Sequence, residues 1–296
     1  MITSLCIANE RLLAVCGHAD GRGVTIRKYA SAPLAPGTVI NGLITDEAAF
    51  VTALNALFSS LGGRPSGVRL ALNSSQIYVK RGVVPKLPKR RLLKWVASEF
   101  SDVDPEDDEL ICDCMLVREL GSEQGCAALL CAARKSLIAS YVELMRAQKL
   151  KIDCIDTTHA ALQKLVALMP STRQETCIVL CLDGNVLDAA LYVDGEYRLN
   201  NRVRLIAERG GAESTAEISR MVSSIIQFNL SERSGKAVRR VFVVGGREDE
   251  RAMMQAVSTA YDLQVAPLSD PDGAIRAGEG FALAEYALAA GNLIGM

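Results

Sequence analysis

The stretch Thr176 to Leu199, TCIVLCLDGNVLDAALYVDGEYRL, constrains the fold more than any other part of the chain. Cys177 to Leu182 and Val186 to Val193 are apolar runs on either side of Asp183-Gly184-Asn185, and Asp194-Gly195 makes a second turn. Apolar, β-rich runs around Asp-Gly-Asn predict a buried hairpin. The tip of such a hairpin can gather unpaired N–H groups around a phosphate. A core hairpin with an ordinary polar turn explains the same residues, and from this stretch alone it is the simpler expectation.

The rest of the chain must supply what buries that hairpin. With 296 residues, 49% of them hydrophobic, there is enough apolar material for one large core or two modest lobes. A formal charge of −1 gives no global basic field toward nucleic acid or an anionic membrane. The longest apolar runs, such as Cys126 to Ala133, are too short to span a bilayer. The N-terminal MITSLCIANERLLAV lacks a basic segment before its apolar residues, so it reads as a strand and not a signal peptide, and a cytosolic protein is expected. Nine cysteines scattered through apolar segments suit reduced, buried thiols. Cys112 and Cys114 would share one face of a strand, but no second pair or histidine cluster completes a zinc site. Of the two histidines, His159 is expected on a helix surface or packed, not as a general base.

Taken in order, Ser4 to Val15 predicts strand–turn–strand around Ala8-Asn9-Glu10, Gly17 to Gly23 a second turn, and Val24 to Ser31 a third strand. Thr45 can cap a helix over Asp46 to Ser60, whose apolar residues fall at helical spacing. A strand follows at Val68 to Leu72. Ile77 to Val84 is a strand, and Lys89 to Phe100 a helix. The cluster Lys86, Lys89, Arg90, Arg91 and Lys94 lies near the acidic run Asp102 to Glu109, so a solvated, neutralised face is expected there. Strands at Leu110 to Val117 and Cys126 to Ala132 lead to a helix capped by Ser136, a strand at Leu150 to Ile155 and a helix at Thr157 to Met169. After the central hairpin come a strand fading into loop over Arg204 to Gly211 and a helix, Ala216 to Leu230, capped by Ser214 or Thr215. A buried strand at Val238 to Val244 ends at Gly245-Gly246. A helix over Glu248 to Tyr261, a short strand at Leu263 to Ala266 and a small-residue helix over Phe281 to Ala290 complete the chain.

There is no tandem period, but the opening pattern of Ser4 to Leu72 recurs at Cys177 to Gly246, and duplicated lobes place a ligand between them. Four stretches extend the echo into a resemblance: VRLALNSSQIYVKRGVVPKLPKRRLLKWVASEF; CAALLCAARKSLIASYVELMRAQKLKIDCIDTTHAALQKLV; AEISRMVSSIIQFNL with RRVFVVGG; and FALAEYALAAGNLIG. In that order they resemble the PilM family of type IV pilus assembly proteins, which are related to FtsA and share the actin-like ATPase fold. The resemblance implies an α/β, two-lobed actin-like (ribonuclease H-like, duplicated) fold with a small β-α-β-β-α inserted subdomain. Its expected divisions are a first lobe at 1–75, the insert at 76–149, a crossover at 150–175 and a second lobe at 176–296. The second lobe would hold a reduced subdomain at about 204–237 and a final helix returning toward the first lobe.

The resemblance also implies a cytoplasmic adaptor at the inner face of the cell membrane. It would bind the short cytoplasmic tail of a PilN-like membrane protein and link it to the pilus motor or platform, with no nucleic-acid partner and no membrane contact except through partners. The nucleotide cleft, if used for ATP or ADP with Mg²⁺, would involve Ala8, Asn9, Glu10, Asp183, Gly184, Asn185, Gly245, Gly246 and Arg247. The family fold carries Asp-x-Gly in both hairpins. Here the first has Cys6 and Ala8, and the second has Cys181 and Asp183 or, slid by one residue, Leu182 and Gly184. Thiols are poor Mg²⁺ ligands and a carboxylate repels phosphate, so little or no hydrolysis is expected. Glu217, Arg220 and Ser224 could mimic an adenosine-binding spacing, although a packing helix fits AEISRMVSSIIQF better. The competing functions are an active actin-like ATPase, an FtsA-like membrane filament, and the cytoplasmic actin-like domain of a type II secretion platform. A partner tail is expected to dock near Leu70 to Val84, on a strand edge.

Overall fold

The computed structural model describes residues 1–103, 108–121, 124–232 and 236–295. The first lobe opens with β1 (Ile2–Ile7), β2 (Arg11–Asp20) and β3 (Gly23–Pro33), the short pair β4 (Val39–Ile40) and β5 (Leu43–Ile44), helix α1 (Glu47–Ser60) and β6 (Gly67–Leu72). An insert follows: β7 (Ile77–Val84), α2 (Lys89–Ser98), β8 (Leu110–Gly121) and β9 (Gly125–Arg134). The chain returns through α3 (Lys135–Ala147), β10 (Lys151–Thr157), α4 (Thr158–Leu168) and the single turn α5 (Pro170–Arg173). The second lobe contains β11 (Thr176–Asp183), β12 (Val186–Val193), β13 (Glu196–Arg204), α6 (Ala212–Ser231) and β14 (Arg240–Val244). A 3₁₀ turn (Glu248–Glu250), α7 (Arg251–Tyr261), β15 (Gln264–Pro267), β16 (Ile275–Arg276) and α8 (Leu283–Leu293) complete it.

The expected duplication is present strand for strand. In the first sheet β1 pairs antiparallel with β2 and parallel with β6; in the second, β11 pairs antiparallel with β12 and parallel with β14. The order β10-β6-β1-β2-β3 is thus repeated as β15-β14-β11-β12-β13. The added strand β16 crosses from the second half of the chain to extend β3, where Val24 N–H donates to Ala274 O at 2.8 Å.

Strand alternation explains why the central hairpin is apolar throughout. Ile178, Leu180 and Leu182 face one core with Ile218 and Val222 of α6 and Met253 and Val257 of α7. Cys177 and Val179 face the other way, into a core shared with Ala160 and Leu165 of α4 and Ala287 and Ala290 of α8. The first sheet does the same: Leu5 and Ile7 pack with α1 and α3, while Cys6 meets the shared core. Helices α4 and α8 therefore form a common middle layer. Sheets covered on both faces need nearly continuous apolar strands.

Several local expectations are corrected. Asp46, not Thr45, caps α1, accepting from Ala49 N–H at 2.9 Å, while the Thr45 hydroxyl turns back to Gly37 and Thr38 carbonyls. Residues 17–20, expected in a turn, continue β2, with a bulge between Cys16 and Gly17. A Cβ at Gly17 would lie 2.1 Å from Thr25 O, so the bulge requires glycine. The third strand of the second lobe is Glu196–Arg204, and the loop begins where the strand was expected. Ser214 and Thr215 do not cap α6; both hydroxyls donate back to Gly211 O, and Gly211 is the N-cap. Ser136 likewise lies inside α3, where the Asp108 carboxylate receives its N–H and hydroxyl.

Helix α3, grouped with the insert on sequence, packs Leu137, Tyr141, Leu144 and Met145 in the first-lobe core. It occupies the place that α7 takes in the second lobe. Helix α6, the centre of the expected reduced subdomain, packs its stripe in the second-lobe core. The basic cluster is solvent-exposed, as expected; of the described part of the acidic run, Glu109 pairs with Lys135 at 2.7 Å and Asp108 serves α3. Residues 104–107 of that acidic run lie outside the described residues. Among the described residues, no helix is long and apolar enough to cross a membrane.

Candidate functional site

The two hairpin tips meet across the lobes. Ala8-Asn9-Glu10 joins β1 to β2, and Gly184-Asn185 joins β11 to β12, with Gly184 at φ 58°. Asn9 N–H donates to both oxygens of Asp183, at 2.8 and 2.9 Å, and its side-chain amide donates to Oδ2 at 2.8 Å. The donors that could receive a phosphate therefore hold an internal carboxylate.

The other loops are committed in the same way. Ala8 N–H donates to Arg11 O at 3.1 Å, Gly245 N–H to Ala284 O at 2.9 Å, and Arg247 N–H to Glu250 Oε2 at 2.8 Å. A Cβ at Gly245, which has φ 70°, would lie 2.2 Å from Leu182 O, so this glycine serves backbone packing. Arg247 reaches across the mouth to Glu10 at 2.7 Å. The structure brings together the three loops that were expected at the cleft. Gly246 and Asn185 make no side-chain contribution to the closure.

Behind the tips lies a pair that sequence gave no reason to join. Arg209 Nε and Nη2 donate to Glu250 at 2.7 and 2.6 Å, and its remaining donors reach Gly184 O at 3.2 Å and Gly245 O at 3.1 Å. Both side chains are almost fully buried, at 3% and 1% exposure. Burial alone would push the Glu250 carboxyl up, but Arg209 and the Arg247 N–H bring it below its usual range.

A second network runs alongside. Arg202 reaches Asn41 at 2.8 Å and also bonds Asn73, both in the first lobe, and lies 3.4 Å from Asp188. Asp188 accepts from Asn200 at 3.0 Å and faces His159 Nε2 at 3.3 Å, without hydrogen-bond alignment. Burial pushes the Asp188 carboxyl up, but His159, Arg202 and Asn200 outweigh it and leave it below its usual range. An aspartate inside the run VLDAALYV signals a buried partner, because an isolated charge cannot stay there. His159 is packed, as one of its two expected placements had it.

Cys6 is buried and its thiol is pushed up to about 12 by burial, with the Asp183 charge adding to it. Cys181 is likewise raised well above its usual range, chiefly by burial. Both line an inter-lobe cavity of about 40 Å³ with Leu13, Val244 and Leu288. Neutral thiols are soft, weak ligands, whereas Mg²⁺ prefers carboxylate and water oxygens. An internal carboxylate stands where an anion would bind. These residues do not fit Mg²⁺–nucleotide, and among the described residues no group of three or more His, Cys, Asp and Glu could hold a metal. Glu217 accepts from Ile206 and Ala207 N–H at 3.0 Å each, so it fixes the loop before α6. At the expected docking stretch, β6 lies between β1 and β10, while β7 ends the insert sheet β7-β9-β8 and lies near β13.

Asp183 gives a test of the tip-to-tip contact. Burial raises its carboxyl more than the Asn9 donors lower it. Between the ordinary aspartate value and this raised one, the folded chain binds more protons than the unfolded chain, so stability falls as pH rises through that window. Asp183→Asn cannot titrate. Urea midpoints from about pH 4 to about pH 8 are expected to move in favour of the variant relative to the parent as pH rises. A gap independent of pH would show that Asp183 is not held as a buried carboxyl.

The sequence model of a family described as "Type IV pilus assembly protein PilM" matches residues 6–223. No curated protein matches in a sequence search. Among solved structures, the chain is similar to one titled "PilM-PilN type IV pilus biogenesis complex", with TM-score 0.81 at 18% identity over 99% of this chain and 97% of that one. A Bacteroides thetaiotaomicron protein of actin-like ATPase fold and unknown function matches with TM-score 0.55 at 11% identity, over 90% of each chain. The cytoplasmic domain of EpsL, an inner-membrane component of the Vibrio cholerae type II secretion system, matches with TM-score 0.50 at 12% identity over 100% and 95%.

Proposed function

Since the chain belongs to the family of the type IV pilus assembly protein PilM, we propose that it is an actin-like adaptor of a pilus assembly machine. In this reading it works in the cytoplasm at the inner face of the membrane, binding the cytoplasmic tail of a PilN-like membrane protein and linking it to the motor. The observation that carries the proposal is the family match over residues 6–223, which runs from the first lobe through the insert and the central hairpin into α6. The cleft supports the non-enzymatic half: Asp183 fills the Asn9 donors, and Gly245 and Arg247 N–H groups are spent internally. Such a cleft holds the lobes together without a nucleotide. The tail would add as an extended strand to β7, at the end of the insert sheet.

Calorimetric titration tests both halves. A synthetic tail peptide of the PilN-like partner is expected to bind the full chain, and Arg81→Glu on β7 to weaken that binding. Mg-ATP and Mg-ADP are expected to give no heat even at millimolar concentration, and no hydrolysis. Micromolar nucleotide binding with turnover would restore an ATPase cycle, and a peptide that fails to bind would remove the adaptor role.

A further inference from the structure

Five cations precede α2 or lie within its first two turns. Lys86, Lys89, Arg90, Arg91 and Lys94 are all exposed. Lys86 reaches Glu119 at 3.5 Å, and no other carboxylate among the described residues pairs with the set. Three of the cations occupy the first turn of α2, which contains no acidic residue, and the N-cap is Pro88, without a side-chain cap. That end of a helix carries the positive pole of its dipole, so the chain places like charge on like. Packing does not explain it either: Leu92, Trp95 and Val96 face the insert sheet and leave the cationic side outward.

We propose that this face of the insert is a contact surface for an anionic phospholipid bilayer. The cations lie on the exposed side of a helix whose other side packs on the insert sheet. Trp95 is engaged in the insert core, which leaves no free aromatic platform for nucleic-acid bases there. Leu116, at 56% exposure, lies two residues beyond Cys114 on the β8 face that packs under α2. It leaves an exposed apolar side chain on the sheet face that carries the cationic helix. The choice of a membrane over another anion rests in part on the adaptor reading, which places the chain at the membrane's inner face. The contact itself needs no partner protein.

Cations near an anionic leaflet each strengthen binding about fivefold, and salt screens them. The full chain, without partner, is therefore expected to co-sediment with phosphatidylcholine vesicles containing phosphatidylglycerol but not with pure phosphatidylcholine. Binding is expected to fall steeply between about 50 and about 300 mM salt. The double variant Arg90→Glu, Lys94→Glu reverses exposed charges only and should lose at least a hundredfold in vesicle affinity, with unchanged circular dichroism and tail-peptide binding. Arg90→Gln with Lys94→Gln should lose less. No vesicle binding at low salt, or binding that survives the charge reversal, would overturn the proposal. Tighter binding of a DNA duplex through the same residues would overturn it in favour of nucleic acid. Loss of tail-peptide binding in the parent chain would instead count against the adaptor.

Discussion

Arg209→Ala is expected to destabilise the protein by about 3–5 kcal/mol, because it leaves Glu250 buried and uncompensated. The loss extends beyond one ion pair. Arg209 also donates to Gly184 O and Gly245 O, so it ties the tip of the central hairpin to the loop after β14. Without it two carbonyls and a carboxylate face a low-dielectric interior with fewer donors, and the loops that approach Asn9 lose their support. Urea denaturation measures the loss. The double variant Arg209→Met, Glu250→Leu should recover much of it, since removing both charges avoids the stranded carboxylate. A loss below about 1 kcal/mol for Arg209→Ala, in the range of a surface ion pair, would mean that the pair is hydrated.

The second large effect is expected at Gly291. A Cβ there would lie 2.1 Å from Ala161 O and 2.7 Å from its carbonyl carbon, so α4 and α8 cross backbone to backbone. Neither atom can turn away as a flexible side chain would. Gly291→Ala must push the helices apart, at a cost near the upper end of overpacking, about 3 kcal/mol. The pair forms the layer both sheets share, so the damage should reach both lobes. The end of α8 is also pinned to the first lobe, with Arg69 donating to Asn292 O and Leu293 O at 3.1 Å each and Asn292 to Ser4 at 3.0 Å. Thermal melting with limited proteolysis checks this: the variant should melt lower and be cut in both halves. Gly21→Ala, with nothing within 4 Å of its new Cβ, is the matched control. Equal melting of the two variants would contradict the close crossing.

Much of this architecture follows from local sequence. The hairpin from Thr176 to Val193 is written in two apolar runs around a turn, and its repetition of the first strands announced the duplicated lobes. Helix α4 and the strands of the insert follow from neighbours a few residues apart. Caps were less legible where several candidates adjoin, as at Thr45 and Asp46, because the choice depends on which carbonyls the rest of the fold brings near.

What the sequence by itself determined was the alternation of buried and turning segments, the two-fold repeat and the set of loops that converge. The resemblance to the PilM family added that Cys6 and Cys181 stand where the actin-like fold carries acids. Only the tertiary structure decided what those loops do with their polar groups. Asp183 meets Asn9 across 174 residues, Arg247 meets Glu10 across 237, and Arg209 meets Glu250 across 41. Periodicity and turn chemistry act over a few residues and are visible in a string. A buried charge, by contrast, must find its partner wherever packing puts one, and that is settled only when both lobes close on the α4–α8 layer.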